Sequence, residues 1–243
     1  MNIVHQSTNL SIAVQALAGI YSTRVMGYTK PKLLAQAVKL ELVVTAVQFI
    51  FYTAFIRAHD IATMAITRYY DWAITTPLML ISLSSYLVYK LGELEDMGII
   101  DVIKKYKSQV GRIVLFNAVM LLAGYLGEIG YISRELALVV GTLAFFATFQ
   151  VIYKEMGGAG NGVFNLTAVV WGLYGVAYML PNIQKNLMYN TLDLVSKNFF
   201  AIFLTNEIIQ KNRTQMSNDS NSSSMGDFLE RPSGPITSTY HFP

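Results

Sequence analysis

The chain contains no cysteine, which excludes a disulfide framework and a thiolate metal site. It is also poor in charge. Only 14% of its residues are Asp, Glu, Lys or Arg, against roughly 25% in soluble domains. The formal net charge of +3 is too small to point to a nucleic-acid partner. The N-terminus lacks a basic segment followed by a cleavage site, so no removable signal peptide is expected and the first helix is expected to target the chain. No internal repeat is strong enough to suggest a transporter of inverted halves.

What the chain does have is apolar sequence, 53% of its residues, in runs broken by short polar clusters. That pattern predicts an all-α, multi-pass membrane protein, because a helix satisfies its own backbone in lipid. A span needs about 20 apolar residues. Seven fit, near 7–27, 33–56, 61–88, 110–127, 132–153, 162–181 and 187–210. The connections carry Gly, Pro, Lys and Asp: Gly27–Pro31, His59-Asp60, Gly127–Gly130, Gly157–Gly162 and Pro181-Asn182. The stretch Lys90–Arg112 is longer and amphipathic, with a short interfacial helix expected around 99–107.

Lys and Arg placement sets orientation. Lys30, Lys32, Lys90, Lys104, Lys105, Lys107, Lys154, Lys211 and Arg213 fall on one side, and only Arg57, Arg134 and Lys185 on the other. The basic side reads as cytoplasmic, which puts the N-terminus outside and the C-terminus in the cytoplasm. From about 214 the chain turns polar and low in complexity, as in Ser217–Ser224. Such a segment buries too little apolar area to offset chain entropy. The sequence thus divides into a membrane domain, 1–213, and a tail expected to be disordered, 214–243.

Lys197 lies near the middle of the last apolar stretch, with Asp193 one turn before it. A lysine at the centre of a span costs about 2.5–3.5 kcal/mol on the most lenient insertion scale. It survives when paired or when its amine is used covalently. An amine in a dry pocket is nucleophilic toward an aldehyde, giving a Schiff base. Protonated, that base needs a counter-ion, and Asp71 and Asp193 are the candidates. The other reading is a plain intrahelical salt bridge.

Asp71 belongs to a stripe on the third helix. Arg68, Asp71, Thr75 and Ser82 sit at relative positions 0, 3, 7 and 14 and share one face. Asp71 and Ser82 are separated by about 16 Å of rise. Arg68 is placed to balance the second carboxylate, and a Thr before Pro77 can satisfy the carbonyl that proline frees. On the sixth helix Trp171, Tyr174 and Tyr178 share a face, and with Trp72 they can box a long flat apolar ligand or simply pack. Glu41 lies two turns into the second helix. It is either an interfacial carboxylate snorkelling beside Lys39 or a proton donor or part of an ion path.

Taken together, Arg68-Tyr-Tyr-Asp-Trp-Ala-Ile-Thr-Thr-Pro-Leu78, Leu192-Asp-Leu-Val-Ser-Lys-Asn198 and Trp171-Gly-Leu-Tyr174 resemble the signatures of the microbial (type 1) rhodopsins. The resemblance implies all-trans retinal on Lys197, with Asp71 as primary counter-ion and proton acceptor and Asp193 as second counter-ion. It implies Trp72 and Trp171 sandwiching the polyene. It further implies Thr76, Met79, Asn117, Met120, Gly124, Gly141, Phe145, Tyr174, Tyr178 and Ser196 around the chromophore, with Asn117 and Thr76 coupling the third and fourth helices. No metal site and no enzyme activity are expected. The Asp71–Thr75–Ser82 triplet resembles rhodopsins of giant algal viruses, which suggests a host cell membrane. The family also implies a lipid bilayer partner, protons or small cations as cargo, and a trimer or pentamer.

The departures matter. Ser82 stands where pumps of the family carry a donor carboxylate, Gly175 replaces a proline and Tyr178 a tryptophan. No glutamate pair occurs in Pro181–Asn190, so the family's proton-release carboxylates are missing there. The leading reading is an outward proton pump driven by Schiff-base deprotonation to Asp71. The alternative is a light-gated cation channel, for which Glu41 and Gln48 are the only second-helix candidates. A sensory photoreceptor is the third reading.

Overall fold

The computed structural model describes residues 2–57, 60–92 and 97–229. The expected connection at His59, the start of the long connection after Gly92, and the tail beyond Leu229 lie outside them. The described residues form helices α1 (Asn2–Thr23), α2 (Lys32–Phe55), α3 (Ile61–Lys90), α4 (Ile99–Lys105), α5 (Lys107–Glu128), α6 (Arg134–Glu155), α7 (Gly162–Met179) and α8 (Asn182–Asp193). A π-helical turn, Leu194–Phe199, then joins α8 to α9 (Phe200–Leu229) without a break. The chain therefore makes seven long rods and one short helix among the described residues.

Local chemistry sets the ends. Asp60 caps α3 by accepting from the Thr63 amide at 3.0 Å, and Asn161 caps α7 through the Val163 and Phe164 amides. Such caps satisfy amides that have no partner inside the helix. Gly130 and Gly157 follow the ends of α5 and α6 at φ +76° and +82°, a conformation that costs a side chain dearly and a glycine nothing. Pro77 lies inside α3. The nearby threonines do not serve the carbonyl it frees: Thr75 and Thr76 bond the carbonyls of Asp71 and Trp72.

The rods close into a ring. α1 packs on α2, α2 on α3, α3 on α5, α5 on α6, α6 on α7 and α7 on α8, and the α8–α9 rod returns to α1. Five of them, α2, α3, α5, α6 and α7, are long and apolar enough to cross a bilayer. The other two are inside-out. On α1, Thr8, Ser11, Gln15 and Ser22 are buried while Leu10, Leu17 and Ile20 are exposed. On α8, Lys185, Asn186, Asn190 and Asp193 are buried while Ile183 is exposed. Lipid on the outside and a polar interior explain both faces.

Three boundaries differ from the sequence reading. The seventh rod begins at Asn182, not 187, so Lys185 is inside a helix and buried rather than in a connection. A hydropathy window undervalues a helix whose polar residues face inward, which is why the start came out late. α1 spans Asn2–Thr23, ahead of the expected 7–27, for the same reason. α9 continues as helix to Leu229, past the expected tail boundary at 214. The short helix at Ile99–Lys105 is where the amphipathic pattern put it.

Candidate functional site

The ring brings α3 and the seventh rod face to face at their middles. Lys197 Nζ donates to Asp71 Oδ2 at 2.8 Å and lies 3.5 Å from Asp193 Oδ1. All three side chains are buried. Asp193 and Lys197 are one helical turn apart, so one face of the rod presents both, as their spacing required.

The two carboxylates are not equivalent. Asp193 Oδ1 accepts from Tyr174 at 2.7 Å and from the Trp72 indole at 3.3 Å. Its Oδ2 accepts from Tyr52 at 2.6 Å and from Arg68 at 3.4 Å. Asp71 has Lys197 alone, and its Oδ1 has no partner among the described residues. A carboxylate with several donors is fixed as the anion. Asp71, by contrast, keeps one oxygen without a donor beside the Lys197 ammonium. Arg68, itself buried, is held by Tyr52, Asn186 and Asn190 and lies 4.9 Å from the Phe55 ring. Asn190 in turn bonds Ser7 and Thr8 of α1. Two carboxylates thus face one ammonium and one guanidinium, and the cluster is neutral, as burial demands.

From Lys197 an apolar cavity of about 230 Å³ runs between α3, α5, α6 and α7. Trp72, Thr76, Met79, Met120, Gly124, Gly141, Phe145, Trp171, Tyr174, Tyr178 and Ser196 line it, which brings together every expected chromophore contact except Asn117. Asn117 stands one step behind, donating to Thr76 Oγ1 at 2.8 Å and so tying α5 to α3. Gly124, Gly141, Gly172 and Gly175 line the slot. A Cβ on Gly175 would lie 3.7 Å from Leu138, and one on Gly141 3.7 Å from the Met120 carbonyl. Gly124 lets Tyr69 close in: a Cβ there would fall 2.7 Å from its hydroxyl.

On the other side of Lys197 lies a polar column. Glu41, Thr45, Gln48 and Tyr52 share one buried face of α2 at spacings of three and four. Glu41 is fully enclosed, so it does not snorkel to an interface; Ser82 and Lys197 act on it electrostatically. The polar atoms of Gln15, Glu41, Gln48 and Asn198 have no partner among the described protein groups. Thr75 and Ser82 are buried on the Asp71 face of α3, as the stripe required.

Sequence reasoning missed Tyr52, Asn186 and Asn190, which hold Arg68 and Asp193, and Tyr69 and Tyr189, which line the cavity. A signal existed for some: Asn186, Asn190, Asp193 and Lys197 sit at 0, 4, 7 and 11 on one helical face. Nothing in the sequence links Tyr52 to a residue 141 positions away.

The model of one sequence family, the bacteriorhodopsin-like proteins, matches residues 4–211, and the chain belongs to that family, the microbial type 1 rhodopsins. Its members are light-driven transporters or photoreceptors carrying a retinal chromophore, and neither they nor this chain are enzymes. The chain is similar to the crystal structure of viral rhodopsin OLPVRII, with 30% identity, a TM-score of 0.75, and 86% of this chain and 98% of that one covered. Green-light absorbing proteorhodopsin of Gamma-proteobacterium EBAC31A08 is 25% identical over 59% of this chain and 61% of its own length. Sensory rhodopsin-2 of Natronomonas pharaonis is 27% identical over 56% and 58%. The chain thus spans about three fifths of the length of these two relatives. It is an integral, multi-pass membrane protein of the rhodopsin fold.

Proposed function

We propose that this chain is a light-driven outward proton pump with all-trans retinal attached to Lys197. The observation that supports it best is the inequality of the two carboxylates: Asp193 is saturated with donors, whereas Asp71 takes the amine alone, on Oδ2 at 2.8 Å, and has Oδ1 free. The cavity suits the chromophore, since it is long, apolar, walled by Trp72 and Trp171, and ends at the only amine in its lining. Bound there, retinal supplies a polyene whose photoisomerisation displaces the Lys197 nitrogen and its proton.

The chain's own groups do the rest. Asp71 accepts the proton from Nζ. Asp193, fixed by Tyr52, Trp72, Tyr174 and Arg68, keeps a negative charge beside the nitrogen throughout. Thr75, bonded to the Asp71 carbonyl, holds the turn that aims the acceptor. Ser82 and water, on the Lys90 side, relay protons from the cytoplasm to Nζ, with Glu41 as the alternative donor. The orientation belongs to the same proposal: N-terminus outside, C-terminus and the basic ends of α3, α6 and α9 inside, in a host cell membrane, with trimers or pentamers as the assembled form.

A second reading, a light-gated cation channel, is favoured by the polar column. Unpartnered Gln15, Glu41, Gln48 and Asn198 need water, and a file of water can carry an ion. A photocurrent–voltage curve separates the two. A pump gives outward current whose sign does not change across the voltage range, and Lys197→Ala and Lys197→Arg give no pigment and no current. Reversal near the cation's equilibrium potential replaces the pump by the channel. A visible absorption band surviving in either lysine variant sinks the retinal assignment.

A further inference from the structure

The end of the bundle away from Glu41 holds a second buried ion pair, which the site described above does not use. Glu128, the last residue of α5, accepts from Lys185 Nζ on α8 at 2.5 Å. Lys185 is 1% exposed and Glu128 7%. The pair ties α5 to α8 beside the Tyr178 end, or floor, of the cavity. Tyr178, which lines that floor, has both the Arg134 guanidinium at 5.2 Å and the Lys185 ammonium at 5.7 Å from its ring centroid. Glu128 Oε2 and the Tyr178 hydroxyl have no partner among the described residues.

The floor is connected to the retinal end. Tyr174, bonded to Asp193, stacks on Tyr189 at 5.8 Å, and Tyr189 packs edge-on against Trp72 at 4.9 Å. Glu128 is close enough for its charge to act on Tyr69, Tyr178 and Tyr189. No carboxylate pair stands in the 181–190 segment, but the fold brings one carboxylate to the same place from another helix.

We propose that Glu128 is the carboxylate through which the transported proton leaves the protein, with Lys185 as the group that drives it off. This rests on the pump reading above. In the dark Glu128 is the anion of an ion pair, an acceptor with one oxygen free. A proton originating at Asp71 binds Oε2, which neutralises the carboxylate and breaks the pair. Lys185 is then an enclosed ammonium without its counter-charge. Release of the proton from Glu128 to outside water restores the pair, so the protonated state is short-lived. The charged and titratable groups around Glu128 are Lys185 and Tyr189 on α8, Tyr178 on α7 and Tyr69 on α3, with Arg134 and Glu135 of α6 acting on the same Tyr178.

The test is flash-triggered proton release from the full-length pigment, read with a water-soluble pH dye against the optical signal of Nζ losing and regaining its proton. Wild type releases before Nζ is refilled. Glu128→Gln, which keeps size and a hydrogen bond to Lys185, delays release at least tenfold, until refilling. Lys185→Met lengthens release because Glu128 keeps its proton, and this delay alone shortens as the pH is raised. Wild-type release timing in both variants, with pigment formed, overturns the proposal. If neither variant forms pigment but Glu128→Asp does, the pair is structural and the proposal falls. If wild type forms pigment and deprotonates at Nζ but releases nothing to the medium, it is the pump reading that has failed.

Discussion

At the scale of single residues, the site works by inequality. Asp71 and Asp193 are the same side chain at similar distances from one amine, and their partners make them different. The consequence is two opposite variants. Asp71→Asn removes the charge nearest the nitrogen, so the excited state, whose positive charge has moved away, gains on the ground state. Absorption shifts to longer wavelength and outward current disappears, while the fold persists because Asp71 has one partner. Asp193→Ala instead leaves Arg68 buried beside the orphaned hydroxyls of Tyr52 and Tyr174. Breaking such a buried pair costs about 3–5 kcal/mol, so it lowers the thermal bleaching temperature far more than Asp71→Asn does. Absorption spectra and bleaching curves of the two variants check this, and equal bleaching temperatures would contradict the asymmetry.

At the scale of elements, the cavity depends on how closely α5, α6 and α7 approach. Gly127 is where they meet: a Cβ there would fall on the Tyr178 hydroxyl and 2.5 Å from the Ala137 Cβ. A tyrosine tip can swing away, but Ala137 Cβ is fixed to the α6 backbone. Gly127→Ala therefore forces α5 and α6 apart, at a cost of about 1–3 kcal/mol. The same change at Gly111, whose Cβ would meet nothing within 4 Å, costs nothing of that kind. Pigment yield and thermal half-life should fall in the first variant and hold in the second. Element boundaries were legible wherever a cap or a glycine marked them, as at Asp60, Asn161, Gly130 and Gly157. They were not legible at Asn182, because α8 turns its polar residues inward and so reads as a loop.

At the scale of the whole molecule, the ring of rods places an apolar slot on one side of Lys197 and a polar column on the other. On the proposed pump reading the slot takes the chromophore and the column supplies the protons, and their meeting at one nitrogen is what couples light to transport. Refilling through the column is expected to limit the cycle. With Ser82 where a carboxylic acid would otherwise stand, recovery of the visible absorption after a flash should slow as pH rises. Ser82→Asp should flatten that dependence, since a buried acid supplies a local proton. If wild-type recovery is fast and indifferent to pH, and Glu41→Gln slows it, Glu41 is the donor. Unchanged recovery in both variants with altered passive photocurrent favours the channel.

The sequence by itself determined the amine, the two carboxylates, the aromatic walls and the helical register that puts each on an inward face. These follow from periodicity and from the cost of charge in lipid, both local properties. Only the tertiary structure decided which carboxylate is saturated, that Glu41 is enclosed, and that Glu128 of α5 meets Lys185 of α8. Those depend on which helices are neighbours in the ring. Tyr52 and Asp193, or Glu128 and Lys185, are far apart along the chain, and no spacing rule reaches across that distance. Closure of the ring, driven by packing the apolar faces and pairing the buried polar ones, is what brings them within hydrogen-bonding range.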